Sequence, residues 1–208
     1  MGKLLLATIL TVVLIPVVVS AQQGGAFVGS LGLGVTSAQG DFADNVYGFS
    51  GGSGIGLESE LRFYPWGGFG IGGFVNYLRF GSSHETAAGR LSFNYSQMGG
   101  LAKMNFIHLS NGAIYLTGGG GVFTPAAHYY VPDNSSDVVG EERGYFGFGG
   151  IGLVSMTDRR MLYELEIRYN VARADYTLDE ITSNVWDFLY VGVKLSFASK
   201  GKPAPPRY

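Results

Sequence analysis

Three segments of the 208-residue chain hold residue types that could do chemistry. His108-Leu109-Ser110-Asn111 sets an imidazole two residues from a hydroxyl, the pairing by which a His activates a Ser for attack on an ester. Such a base needs a third group to orient it, and no carboxylate follows within the next strand's length of sequence. Asn111-Gly112 is also an ordinary turn dipeptide. Gly147-Phe148-Gly149-Gly150-Ile151-Gly152 has the spaced glycines of a dinucleotide loop, yet no helix follows to offer its N-terminus to a phosphate. Asp133, Asp137, Glu141 and Glu142 could meet calcium, but their spacing fits no calcium loop, and His84 and His128 have no partner in sequence. No catalytic residue, cofactor or metal is expected from these segments.

A different chemistry is written twice. Glu58-Ser59-Glu60-Leu61-Arg62-Phe63 is repeated in type by Glu164-Leu165-Glu166-Ile167-Arg168-Tyr169. Spacing of two puts both carboxylates and the guanidinium of each segment on one face of a strand. Lys103 and Lys194 fall on the same predicted face of two further strands, so four acids meet four bases. Desolvated charges stay ionised only when they are matched in this way. The chemistry implied is mutual ion pairing. If residues 174–184 form a symmetric hairpin centred near Asp179, Glu164 lies opposite Lys194.

The elements that must hold these groups are strands. Leu31, Leu33 and Val35 alternate with Ser30, Gly32, Gly34 and Thr36, and Ile55, Leu57, Leu61 and Phe63 alternate with Gly54, Gly56, Glu58, Glu60, Arg62 and Tyr64. Period-two alternation and breaks at Gly, Pro, Asn and Asp predict strands near 25–37, 52–65, 69–80, 92–106, 113–124, 143–156, 160–173 and 185–197. Most are longer than the roughly 5 to 6 residues of a globular strand and reach the roughly 9 to 11 that a tilted strand needs to cross a bilayer. The connections alternate: 39–51, 81–91, 125–142 and 174–184 are long and polar, while 66–68, 107–112 and 157–159 are short. Outer-membrane barrels order short periplasmic turns and long external loops in this way. Eight strands leave a lumen that side chains fill, and Gly32, Gly34, Gly54, Gly56, Gly70 and Gly72 make room there for long polar side chains. In 69–80 and 143–156 both faces carry apolar residues, so their facing stays open. Tyr64, Trp66, Phe69, Tyr163 and Trp186 stand near strand ends, where aromatic girdles meet the two interfaces.

The ends agree with export. Lys3 precedes an apolar run from Leu4 to Val19 that is shorter than a membrane span, is interrupted by Pro16, and ends at Val19-Ser20-Ala21. Residues 1–21 therefore read as a cleaved signal peptide, and no later stretch could span as a helix. There is no Cys, so no disulfide framework supports the exported chain, and a formal net charge of −2, with no basic run longer than a pair before the C-terminus, gives no support for nucleic-acid binding. The 34 Gly, 14 Phe and 13 Tyr favour strands over helices.

Tyr190-Val191-Gly192-Val193-Lys194-Leu195-Ser196-Phe197 resembles the closing strand of outer-membrane β-barrels, with Tyr190, Gly192, Leu195 and Phe197 at the positions read by the barrel-insertion machinery. With the signal segment and eight strands, the chain resembles the small OmpA/OmpX-type barrels over its whole mature length. One departure is the tail, 198–208, whose Pro and basic residues predict an extended periplasmic segment. The resemblance implies an all-β, eight-stranded antiparallel up-and-down transmembrane β-barrel over 22–197, in the outer membrane. It implies a non-enzymatic envelope protein with a charge-filled lumen, whose partners are outer-membrane lipid, the insertion machinery and an extracellular ligand met by the external loops. Two alternatives accompany it. One is a narrow porin-like channel for small solutes. The other is a lipid-modifying hydrolase, since His108-Leu109-Ser110-Asn111 resembles the His-x-Ser-Asn segment of outer-membrane lipid A deacylases.

Overall fold

The computed structural model describes residues 25–42, 51–66, 68–86, 89–130, 136–141, 143–156, 161–178 and 181–199. The expected signal segment (1–21) and the tail from 200 onward lie outside them. Among the described residues there are ten strands: β1 (Ala26–Ala38), β2 (Gly51–Trp66), β3 (Phe69–Thr86), β4 (Gly89–Leu109), β5 (Gly112–Tyr130), β6 (Ser136–Glu141), β7 (Gly144–Met156), β8 (Met161–Leu178), β9 (Ile181–Val185) and β10 (Phe188–Ala198). All pairings are antiparallel, in the order β10-β1-β2-β3-β4-β5-β7-β8, and β10 pairs with both β8 and β1, so the sheet closes on itself. β6 continues β7 along β5, and β9 continues β10 along β8. The result is a closed barrel of eight antiparallel spans. Among the described residues, no helix is long and apolar enough to cross a membrane.

Alternation decides the two faces. Leu31, Leu33 and Val35 on β1, Ile55, Leu57 and Leu61 on β2, and Val193 and Phe197 on β10 all point outward, with Leu31 67% and Ile55 68% exposed. Ser30, Thr36, Glu58, Glu60 and Arg62 point inward and are buried. On β3, whose facing the sequence left open, Phe74, Asn76, Leu78 and Phe80 are buried, while Ile71, Val75 and Tyr77 are exposed. On β7, Phe146, Phe148 and Val154 are buried, and Tyr145, Ile151 and Leu153 are exposed. Neither strand switches register between these residues, since the β3–β4 ladder runs unbroken from Phe69 to Gly81 and the β7–β8 ladder from Tyr145 to Met156.

The strands run longer than the alternation suggested. β3, β4, β5 and β8 have 18, 21, 19 and 18 residues. Three of the four expected external loops (81–91, 125–142 and 174–184) are therefore largely paired strand, a correction to the sequence reading. The reason is that backbone groups beyond the bilayer still gain by continuing a hydrogen-bonded ladder, whereas polar side chains there carry no alternation for a period-two reading to detect. Register shifts concentrate at this end, at Gly51/Gly54, Gly81/Glu85, Ala126/Ala127 and Arg173/Tyr176, as bulges do at barrel rims. After β1 a short 3-10 turn, Gly40–Phe42, folds Phe42 back into the mouth of the barrel, with Gly40 at φ 55°.

Candidate functional site in the barrel interior

The interior has two storeys. The lower one, toward the tight turns, is ionic. β2 supplies Glu58, Glu60 and Arg62, β8 supplies Glu164, Glu166 and Arg168, and Lys103 on β4 and Lys194 on β10 reach in from diametrically opposite walls. All eight are buried. Lys103 Nζ lies 3.2 Å from Glu60, 2.9 Å from Glu164 and 2.8 Å from Glu166. Lys194 Nζ lies 2.5 Å from Glu58 and 3.1 Å from Glu166 and also contacts Glu60. Arg62 holds Glu164 from two nitrogens, one at 3.1 Å, and its Nε is 3.3 Å from Glu60. Arg168 pairs with Glu58 and, at 3.0 Å, with Glu166.

Hydroxyls complete the set. The Tyr115 hydroxyl donates to Glu166 at 2.7 Å, Ser196 Oγ donates to Glu164 at 2.5 Å, and Arg62 donates to the Tyr64 hydroxyl at 3.2 Å. Backbone without side chains makes the space: a Cβ at Gly32 would collide with the Lys194 stem, and one at Gly150 with that of Arg168.

Glu164 and Lys194 do stand opposite each other in the β8–β10 ladder. Their charges are engaged elsewhere, Glu164 with Arg62 and Lys103 and Lys194 with the other three carboxylates. Neighbours in a ladder lean apart when a closed barrel offers partners across the lumen. Oxygens of Glu58, Glu60 and Glu166 converge closely enough to hold a metal ion. The Lys194 ammonium already sits among all three, so this chain supplies its own cation there.

The upper storey is aromatic, and the sequence reading missed it. Phe42, Phe80, Phe93, Tyr95, Phe123, Trp186, Phe188 and Tyr190 form one buried cluster with Phe74, Phe146 and Phe148. Phe42 meets Trp186 with ring centroids 5.3 Å apart, and Tyr95 stacks on Phe123 at 5.5 Å. Arg168 joins the storeys, its guanidinium 4.5 Å from the Tyr190 ring centroid and 5.0 Å from that of Phe148. Two assignments to an outer aromatic girdle are thereby corrected. Trp186 is 0% exposed inside the plug, with its Nε1 donating to the Ala174 carbonyl, and the Tyr64 hydroxyl binds Arg62 in the lumen. Tyr163 does face outward, and Phe69 is partly exposed. The Trp66 side chain is outside what is described. The signal that could have located the plug was the in-phase set Phe74, Leu78 and Phe80 on one strand with Phe93 and Tyr95 on the next, both at period two.

The other candidates stand apart. His108, Leu109, Ser110 and Asn111 are all exposed at the tight β4–β5 turn. The run from Gly147 to Gly152 lies within β7. His84 and His128 fall in β3 and β5, and Asp137 and Glu141 in β6, with side chains outside the description, as are Asp133 and Glu142. On the closing strand, Tyr190 points into the lumen and Phe197 outward.

No family model matches the chain, and no curated protein matches it in sequence. Solved structures match its shape. The attachment invasion locus protein Ail of Yersinia pestis is similar over 85% of this chain and 99% of its own, with 12% identity and a TM-score of 0.50. Neisserial surface protein A is similar over 86% and 99%, at 13% identity and a TM-score of 0.48. OprG, an outer membrane protein of Pseudomonas aeruginosa, is similar over 87% and 98%, at 12% identity and a TM-score of 0.47. The fold is that of the small eight-stranded outer-membrane barrels.

Proposed function

We propose that this chain is a non-enzymatic envelope protein of the outer membrane, a closed barrel that spans the lipid and presents its hairpin ends to the exterior. The observation that carries the reading is the inversion of polarity. Every span turns apolar side chains outward, among them Leu31, Ile55, Val75, Met98, Leu116, Ile151, Leu165 and Val193, while Glu58, Glu60, Arg62, Lys103, Glu164, Glu166, Arg168 and Lys194 are shut inside. In water such an apolar surface would be an aggregation site; in lipid it is solvated. The expected signal peptide and the closing-strand positions Tyr190, Gly192, Leu195 and Phe197 support export and recognition by insertion machinery. The hairpin ends are the surface available to an extracellular ligand.

The test is heat modifiability. The mature chain, residues 22–208, is folded in detergent micelles and in plain buffer, and boiled and unboiled samples are compared on a denaturing gel. A mobility shift seen only with detergent supports the reading, and a folded, soluble product in buffer would refute it. The channel alternative is opposed by the two filled storeys of the lumen. The hydrolase alternative is opposed by the exposure of His108 and Ser110 at a turn, and lipid deacylation abolished by Ser110→Ala would reinstate it.

A further inference from the structure

Phe42 enters the aromatic storey from outside the barrel wall. It stands on the 3-10 turn Gly40–Phe42 that follows β1, and it is buried. Its ring meets those of Phe80, Phe93, Tyr95 and Trp186 at centroid distances of 5.5, 5.9, 6.1 and 5.3 Å. These four rings are held by the wall. Phe80 and Phe93 lie opposite each other in the β3–β4 ladder, Tyr95 is on β4, and Trp186 donates from its backbone N–H to the Ala172 carbonyl and from Nε1 to the Ala174 carbonyl. The turn is pinned at its start, where the Gln39 N–H donates to the Asp187 carbonyl at 2.9 Å, and Gly40 then takes φ 55°. Phe42 is thus a benzyl group seated between four fixed rings, on a tether that begins with a glycine.

Two features select what else that seat would hold. The Tyr95 hydroxyl, on one of the four rings, is 0% exposed and makes no hydrogen bond among the described residues. A buried hydroxyl without a partner is costly, and a donor brought in by a guest would satisfy it. The second feature is charge. Residues 39–51, 79–91, 125–143 and 173–187, which join or extend the strands at this end, contain eleven Asp and Glu against four Arg and no Lys. Asp41 shares the turn with Phe42. Such a balance concentrates cations at the mouth of the barrel. Phe42 packs edge-to-face with Phe80 and Phe93, at interplanar angles of 73° and 72°. Aromatic faces are electron-rich, so a cation among these rings gains an attraction that a neutral ring does not.

We propose that the seat of Phe42 is a binding site for an arylalkyl ammonium cation, whose ring takes the place of the Phe42 ring and whose ammonium donates to the Tyr95 hydroxyl. The proposal rests on the outer-membrane reading for the side from which the cation arrives, and it gives the extracellular ligand a chemical class. It is tested by calorimetric titration of the mature chain, residues 22–208, in micelles of an uncharged detergent at pH 7. Benzylammonium is the probe, and benzyl alcohol, its neutral counterpart of the same size, is the control. Wild type should bind the cation more tightly than the alcohol. Phe42→Ala, which removes the internal competitor, should bind benzylammonium about tenfold more tightly than wild type. Tyr95→Phe, which keeps the ring and removes the acceptor, should bind it several-fold more weakly. Phe42→Leu, with the same expected direction as Phe42→Ala, serves if the alanine variant does not fold.

Equal affinity for benzylammonium and benzyl alcohol, or Phe42 variants that bind the cation no better than wild type, would overturn the site and leave the barrel standing. The gel shift, recorded on the same samples, separates the two readings. If no protein shows it in detergent, the membrane reading itself fails first.

Discussion

At the scale of single residues, the interior charges are interdependent. Lys103 answers three carboxylates at once, and removing it leaves them facing one another where water cannot screen them. Lys103→Met should therefore destabilise the barrel by about 3 to 5 kcal/mol, read as a lower urea midpoint in detergent micelles. Adding Glu164→Gln to it should recover much of the loss, because the excess negative charge falls; a double variant no better than the single one would show that packing and not charge balance is at stake. Glycines divide by the same logic. A Cβ at Gly34 would run into the Tyr190 ring, whereas one at Gly149 meets nothing within 4 Å. Gly34→Val should cost roughly 2 kcal/mol or more and Gly149→Ala less than about 0.5 kcal/mol, compared in the same unfolding assay.

At the scale of elements, the apolar belt and the rim hairpins are separable. Outward apolar side chains on β3 end near Tyr77, yet the strand continues to Thr86 and pairs with β4 past a register shift. Below Gly81 the β3–β4 ladder is complete without that tip. Replacing residues 82–91 by a tight Asn-Gly turn should leave the gel mobility shift intact and move the urea midpoint by about 1 kcal/mol or less. Loss of the shift would mean that the rim hairpin is needed for closure. Of these elements the core of each span was readable from sequence, since lipid on one side and packed lumen on the other force strict alternation. The rim extensions were not, because polar strand and polar loop share a composition and differ only in whether a partner strand is alongside.

At the scale of the whole molecule, two storeys in series seal the lumen. Trp186, Phe80 and Phe93 fill the upper half and the matched ions the lower. Wild-type protein in planar bilayers should show no conductance above bare lipid. Phe80→Ala/Trp186→Ala, which thins only the aromatic storey, should also stay closed, since the ion network still fills the path. Arg62→Ala/Arg168→Ala should stay closed behind the plug. Conductance in either double variant would show that one storey alone forms the barrier and would revive the channel alternative.

The sequence by itself determined the number of spans, the lipid-facing side of β1, β2, β8 and β10, and which eight charges share the interior. All of these follow from local period-two alternation, which each strand carries in its own residues. Tertiary structure alone decided which acid meets which base, because ladder opposition put Glu164 beside Lys194 while barrel closure brought Arg62 and Lys103 across the lumen to claim it. It also decided that Trp186 turns inward, and that β3 and β7 give their aromatic face to the lumen. A strand apolar on both faces holds no preference of its own; the choice comes from the neighbours it packs against once the sheet has closed.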